Sequence, residues 1–366
     1  MLKLIWLSAL SFFALSTIAL SQQNNPFSEL LSPGNVYATM FFDYFYMAGG
    51  DDMYPGQSQY AGNKKNDNAF SFRRIYLGYE HAFSGKFSGK IQMELKDFST
   101  LENGSRSFFL KEASLTWKDI YPLADLIIGQ SGTPAYSIDG SESYWRYRSI
   151  EATIADMRGL RSSSDAGIRI KGRFNESGTL GYNFMAGNGN GTRPENDKYK
   201  LFYLNLWTKL LEKRLYIEMY QDFNKASGGR TVSTTKGFIA WAVPDYTFGL
   251  ELVHQLRSGF GPGDQDMDIL GTSIFAHANI TGNQLRIFAR YDSYNPDNNF
   301  SIDHYFYEYM FPYDEQFYTL GLDIMPGNNI HIMPNIWINS YKNKIIGRAP
   351  PEAKVVARIT FNVVFR

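Results

Sequence analysis

The chain has 366 residues, and its 36 Lys+Arg are balanced by 36 Asp+Glu, for a formal net charge of zero. That balance excludes a general nucleic-acid binder, and no nucleic-acid partner is expected. Cysteine is absent, which rules out a disulfide framework, a thiolate zinc site and a cysteine nucleophile, while 25 Tyr and 28 Phe make the chain unusually aromatic.

The chain opens "MLKLIWLSALSFFALSTIALSQQNN": one early cation, Lys3, an apolar run from Leu4 to Leu20, then small residues at Ala19 and Ser21. This predicts a signal peptide over 1–21, cleaved after Ser21, and a short periplasmic N-terminal lead over 22–35. The run approaches the length of a membrane span, but the small-residue site and the polar "QQNNP" fit processing better. No later run of eighteen apolar residues exists, so no helical span is expected beyond the leader. An exported, tyrosine-rich chain of this kind is either a secreted sandwich or an outer-membrane barrel.

Strand length decides between these. "FSGKIQMELKD" sets Phe87, Gly89, Ile91, Met93 and Leu95 against Ser88, Lys90, Gln92, Glu94 and Lys96. "AGIRIKGRF" sets Ala166, Ile168, Ile170 and Gly172 against Arg169, Lys171 and Arg173, and "NNIHIMPNIWINSY" alternates in the same way. A period of two is a strand with one apolar and one wet face. The pattern predicts sixteen strands, at 36–48, 70–82, 87–96, 107–118, 123–131, 164–173, 178–187, 200–210, 214–223, 234–243, 246–256, 267–280, 284–293, 315–325, 329–341 and 353–365. Sandwich strands run about five or six residues; these approach the ~10 of a tilted membrane strand. The connections alternate between short turns such as "PD" and "PGNN" and long polar loops, as in an outer-membrane barrel with short periplasmic turns and long extracellular loops. The expected fold is therefore all-β, a single transmembrane antiparallel β-barrel over 36–366, in contact with outer-membrane lipid of the Gram-negative type. The terminal "VVARITFNVVFR" must then pair with the strand near residue 36, because an open edge in hydrocarbon costs several kcal/mol per unpaired backbone group.

The third long connection, "SGTPAYSIDGSESYWRYRSIEATIADMRGLRSSSD", is the longest, and connections of this length have a function of their own. It concentrates Arg146, Arg148, Arg158 and Arg161 around Tyr144, Trp145 and Tyr147, together with Asp139, Glu142, Glu151 and Asp156. Folded inward, it would constrict the lumen and focus a local field. The alternation also turns Arg74, Glu94, Glu112, Arg169, Lys171, Arg173, Arg286, Arg290 and Arg358 toward the lumen as pore-lining residues. Cationic rings favour anions and acidic rings favour cations, so this mixture points to passive diffusion of small polar or anionic solutes. Each of these charges is also compatible with a plain solvated wall.

At "FSFRRIYLGYEHAFSGKFSGKIQMELKD", with its paired Arg73 and Arg74, the chain resembles the porin O and P type of outer-membrane porins. "LKEASLTWKDIYPLADLIIGQSGTP", "DAGIRIKGRF", "YNFMAGNGNGT" and "ARYDSYNPD" resemble later pieces of that pattern, in order. The resemblance implies a sixteen-stranded homotrimeric channel with its third external loop folded inward. After "IIGQ" the family often carries a lysine, where this chain has Ser131 and Gly132, which weighs against phosphate selectivity.

Other readings are an outer-membrane barrel enzyme of lipase or protease type, and a structural surface barrel. Five histidines (His81, His254, His277, His304, His331) and many serines exist, but neither a G-x-S-x-G elbow nor an H-E-x-x-H helix occurs. Oxygen-rich "DSYNPDNNFSID", with Asp292, Asn295, Asp297, Asn299 and Asp303, lacks EF-hand spacing. No enzyme activity, cofactor or metal site is expected.

Overall fold

Strand β1 (Asn35–Gly49) pairs on one side with its sequence neighbour and on the other with the last strand of the chain, so the sheet has no edge. Between them run β2 (Asn68–Ala82), β3 (Phe87–Lys96), β4 (Phe109–Tyr121), β5 (Ala124–Gly132), β6 (Ser164–Arg173), β7 (Leu180–Gly187) and β8 (Leu201–Leu210). There follow β9 (Leu215–Lys225), β10 (Thr231–Ala242), β11 (Tyr246–Ser258), β12 (Met267–Thr281), β13 (Leu285–Asn295), β14 (Tyr313–Gly327), β15 (Ile330–Asn343) and β16 (Lys354–Phe365). All neighbours are antiparallel and consecutive in a closed barrel. This computed structural model describes residues 34–51, 59–60, 62–96, 100–136, 140–282, 284–300, 313–344, 347 and 349–365. The expected signal peptide, most of the expected lead, Asp139, Asp303 and His304 lie outside the described residues.

The closing seam answers why the chain ends on an alternating apolar ladder. Ala38 lies opposite Phe365, Phe42 opposite Phe361 and Tyr44 opposite Ile359, so β16 satisfies backbone groups that β1 would otherwise expose to lipid. Outward positions are apolar and uncovered: Ile91, Ile168, Phe248, Ile274, Leu320 and Ile336 are all exposed. Inward positions of the same strands carry Glu94, Arg169, Glu251, Ser273, Thr319 and Asn335. The sixteen strands match the expected ones to within a few residues; the main difference is that β9 and β10 extend until only 226–230 separates them.

Two β-bulges turn extra charges inward. Between Phe41–Arg74 and Phe42–Phe72 the register skips Arg73, and between Gln92–Glu112 and Met93–Leu110 it skips Lys111. A bulge places two consecutive residues on one side of the sheet, so Arg73 and Arg74 both point inward, Arg73 to Asp43 and Arg74 to Glu94. Lys111 and Glu112 do the same, reaching Glu94 and Lys90. A glycine is required beside this region: Gly129 sits at φ 115, and a Cβ there would lie 2.4 Å from the Ala113 carbonyl oxygen.

Candidate functional site: the barrel interior

Between β5 and β6, residues 133–136 and 140–163 pack against the inner wall. The segment contains two short helices, α1 (Ser141–Trp145) and α2 (Ile154–Met157). Trp145, Tyr147 and Ile150 are buried with inward Trp207, Tyr216, Phe238, Phe275, Phe288 and Met333 of β8, β9, β10, β12, β13 and β15. Met157 joins Phe45, Met47, Phe317, Trp337 and Val356, while Ile154 and Leu160 meet Val253, Ile269 and Tyr294. Burying apolar side chains at about 25 cal/mol per Å² makes this seat the main attraction for the segment.

Polar anchors fix its path. Lys236 Nζ donates to the Ala135 carbonyl at 2.8 Å, Arg290 Nη1 to Ala152 at 2.6 Å, Arg358 Nη2 to Ile150 at 2.6 Å and Gln255 Nε2 to Leu160 at 2.9 Å. These donors cover backbone oxygens that a buried loop would otherwise leave unpaired. Side chains of the segment answer in kind: Arg158 Nη1 lies 2.5 Å from Glu315 Oε2, Arg161 Nε 2.6 Å from Asp222 Oδ2, and Trp337 Nε1 donates to Glu151 Oε2 at 3.0 Å.

These contacts fall on β8 to β16 and, through Phe45 and Met47, on β1. The opposite wall, β2 to β8, borders a water-accessible passage of about 1170 Å³. Its lining includes Lys90, Lys111, Lys118, Arg169, Lys171, Arg173, Lys209 and Lys213 from the wall side, with Glu80, Glu112, Asp119 and Asp125. From the interior segment come Tyr136, Glu142 and Arg148. The cations on the lining outnumber the carboxylates, nine to five. Arg169 has no carboxylate at ion-pair distance among the described residues; its Nη1 donates to the Gly132 carbonyl at 2.6 Å and its Nε to Asn183 Oδ1 at 2.8 Å. Arg173, Lys118 and Lys213 likewise form no ion pair among the described residues.

Solved structures that share this fold include outer-membrane channels and porins. The outer-membrane channel DcaP of Acinetobacter baumannii superposes with a TM-score of 0.67 at 11% identity, over 91% of this chain and 97% of that one. Pseudomonas putida OprB gives 0.67 at 9% identity, over 92% and 96%. The anion-selective porin from Comamonas acidovorans gives 0.61 at 12% identity, over 91% and 99%. The fold is that of the outer-membrane porins. No protein-family model matches the sequence, and no curated protein matches it. At such low identity the shared feature is the porin fold.

Within this porin fold the arginines singled out in the third connection separate. Arg148 borders the passage but is held by Glu142 at 2.5 Å and Asp156 at 2.6 Å. Burial alone would raise the Asp156 carboxyl, yet Arg148, with Arg74 and Lys111 behind it, brings it down to about 2. Arg158 and Arg161 are the buried anchors to Glu315 and Asp222. Arg146 is exposed and belongs to neither group.

The wall residues separate as well. Glu112, Arg169, Lys171 and Arg173 line the passage. Arg74 and Glu94 form an ion pair behind it at 3.3 Å, with Glu94 wholly buried. Arg290, paired with Asp292 at 2.6 Å, and Arg358 are buried under the segment they anchor. Arg286 points inward near the turns and donates to Asn279. Lys111 escaped sequence reasoning because strict alternation sends it to the lipid. Lys118 follows the inward period of β4 and was legible there.

The remaining candidate chemistry has other partners. His254 bonds Asp268 at 2.6 Å, His331 bonds Asp323 at 2.8 Å, His277 meets the Tyr144 carbonyl at 3.0 Å, and His81 stacks with Tyr79. In the oxygen-rich stretch after β13, Lys344 Nζ reaches Asn295 Oδ1 at 2.6 Å and the Asp297 carbonyl at 2.8 Å, so an ammonium sits among those oxygens. Among the described residues no group of three or more His, Asp or Glu is arranged to hold a metal ion.

Proposed function

We propose that this protein is an outer-membrane diffusion channel for small polar solutes with a preference for anions. The observation that carries the reading is the passage of about 1170 Å³ whose lining cations outnumber its carboxylates, with Arg169 and Arg173 free of acidic partners among the described residues. A cation without a close carboxylate keeps its field for a passing ion, whereas a paired one contributes a dipole that falls off faster. The interior segment narrows the lumen to that passage, so it acts as the constriction, with Arg148 as its contribution to the channel edge. We read Arg158 and Arg161 as braces of the constriction, because their charges are spent on Glu315 and Asp222.

On this reading residues 1–21 direct export, the barrel is the single domain, and the channel assembles as a homotrimer. The resemblance to the porin O and P type rests on the motifs around Arg73 and Arg74. Ser131, where that type often has a cation, favours general anion preference over phosphate specificity. Planar-bilayer recording tests the proposal: purified protein should give stable open steps, with a reversal potential in a salt gradient displaced to the anion side. Replacing Arg169, Lys171 and Arg173 together by Gln should move that potential toward zero. Absence of conductance steps, or an unchanged potential in the triple variant, overturns the channel and its selectivity respectively.

A further inference from the structure

Three neighbouring strands converge where the interior segment leaves the wall. Gly132 ends β5 there, and the point its Cβ would occupy lies 3.8 Å from Arg169 Nη1 of β6 and 3.8 Å from Glu112 Oε1 of β4. The Ser163 carbonyl oxygen is 3.9 Å from the same point. Glycine leaves this notch without a side chain of its own, and Glu112, Gly132 and Arg169 all line the open passage. The two charged groups are separated by no more than twice 3.8 Å, yet among the described residues they form no ion pair with each other.

Each is held from behind. Arg169 Nε donates to Asn183 Oδ1 at 2.8 Å and Nη1 to the Gly132 carbonyl at 2.6 Å, while Lys90 binds Glu112 Oε2 at 3.1 Å. Arg169 Nη2 and Glu112 Oε1 are left without a hydrogen-bond partner among the described residues. The other polar groups here are already engaged: Lys111 reaches Glu94 at 3.0 Å and Ser163 Oγ at 2.7 Å, and the Ser163 carbonyl accepts from the Thr133 N–H at 3.1 Å. A guanidinium and a carboxylate fixed on two sides of one notch, and kept from each other, match a solute that carries the reversed pair of charges.

We propose that the Gly132 notch binds small zwitterions of the α-amino-acid class, with the carboxylate on Arg169 and the ammonium on Glu112. The planar fork of the guanidinium suits a carboxylate, and Glu112 Oε1 accepts from the ammonium. The bare backbone of Gly132 lets the carbon between the two groups come close. The site rests on the channel reading for its role in transport and deepens it by naming a solute class. A solute without net charge gains nothing from the surplus of cations on the lining, so only a local pair of opposite charges can select it.

The probe is glycine, titrated onto the folded full-length barrel in detergent at neutral pH and constant ionic strength. Saturation-transfer NMR of its α-protons is the readout, with acetate and methylammonium, which each carry half of the charge pattern, titrated in parallel. Glycine should give a saturable response, and each half-ligand should bind about tenfold more weakly. Arg169→Gln and Glu112→Gln should each cost about tenfold in glycine affinity. Gly132→Val keeps both charges and fills the notch, so it should abolish the response even where a charge variant does not fold. Acetate binding as tightly as glycine overturns the site, since a plain anion site would behave so. An unchanged glycine response in Gly132→Val overturns it too, as does loss in Arg173→Gln with retention in Arg169→Gln. Chloride steps in planar bilayers need no glycine: steps without a glycine response sink the notch alone, and a glycine response without steps supports the notch and sinks the channel alone.

Discussion

The two halves of the inner wall obey one alternation and serve opposite ends. From β10 to β15 the inward positions include Phe238, Phe275, Phe288, Phe317 and Trp337, all buried under the interior segment. From β3 to β6 the corresponding positions carry Lys90, Glu112, Ser114, Arg169, Lys171 and Arg173, all on the open passage. A barrel wall with aromatic rings inside behaves as a soluble protein core and captures chain; a wall with charges inside keeps water. The contrast teaches that the open passage is eccentric because the core is eccentric. The aromatic seat of Trp145 and Ile150 and the ion pairs of Arg158 and Arg161 with Glu315 and Asp222 hold the segment to the same side of the barrel.

Breaking the core half should produce the largest effects. Arg158→Ala leaves the buried Glu315 carboxylate without its paired cation, and the loss should be about 3 to 5 kcal/mol in urea unfolding of the detergent-folded barrel. Phe288→Ala opens a cavity beneath Trp145 and Tyr147, at about 3 to 5 kcal/mol by the same measurement. Either change should raise single-channel conductance as the segment loosens.

Acid sharpens the contrast by testing the border between the halves. Asp156, normally near 3.8, is depressed to about 2, so its contribution is fully present above pH 3.8. It is lost as pH falls from there through 2, an effect on the order of 2 kcal/mol. Unfolding followed between pH 5 and pH 2 should show that loss in the parent and a flatter profile in Asp156→Asn.

The open half should be tolerant in stability and sensitive in selectivity. Arg173→Gln alone should change unfolding by no more than about 0.5 kcal/mol, while moving the reversal potential toward zero. Smallest of all, Lys200→Ala on the exposed 188–200 connection, where Lys200 meets Glu195, should leave unfolding and reversal potential unchanged.

Much of the fold was legible because every strand declares two faces in a period of two. Along most of strand β3 the reading holds, Ile91 and Met93 exposed on the outer face and Lys90 and Glu94 inside, although Leu95 of the apolar face is buried. The bulges at Arg73 and Lys111 were not legible, since each is an insertion relative to a partner strand and has no signature within its own strand. For the candidate site, the inward direction of Arg169, Lys171 and Arg173 followed from alternation alone. The separate fates of Arg146, Arg148, Arg158 and Arg161 could not be read, because their partners Glu315 and Asp222 lie far along the chain.

By itself the sequence determined a closed cylinder: alternating faces of about ten residues can satisfy both hydrocarbon and water only when the first and last strands meet. Tertiary structure alone decided where that cylinder is filled and where it stays wet. The reason is that filling depends on which inward side chains face one another across the lumen. Phe238, Phe275 and Phe288 become one apolar seat only when three separate strands are brought side by side.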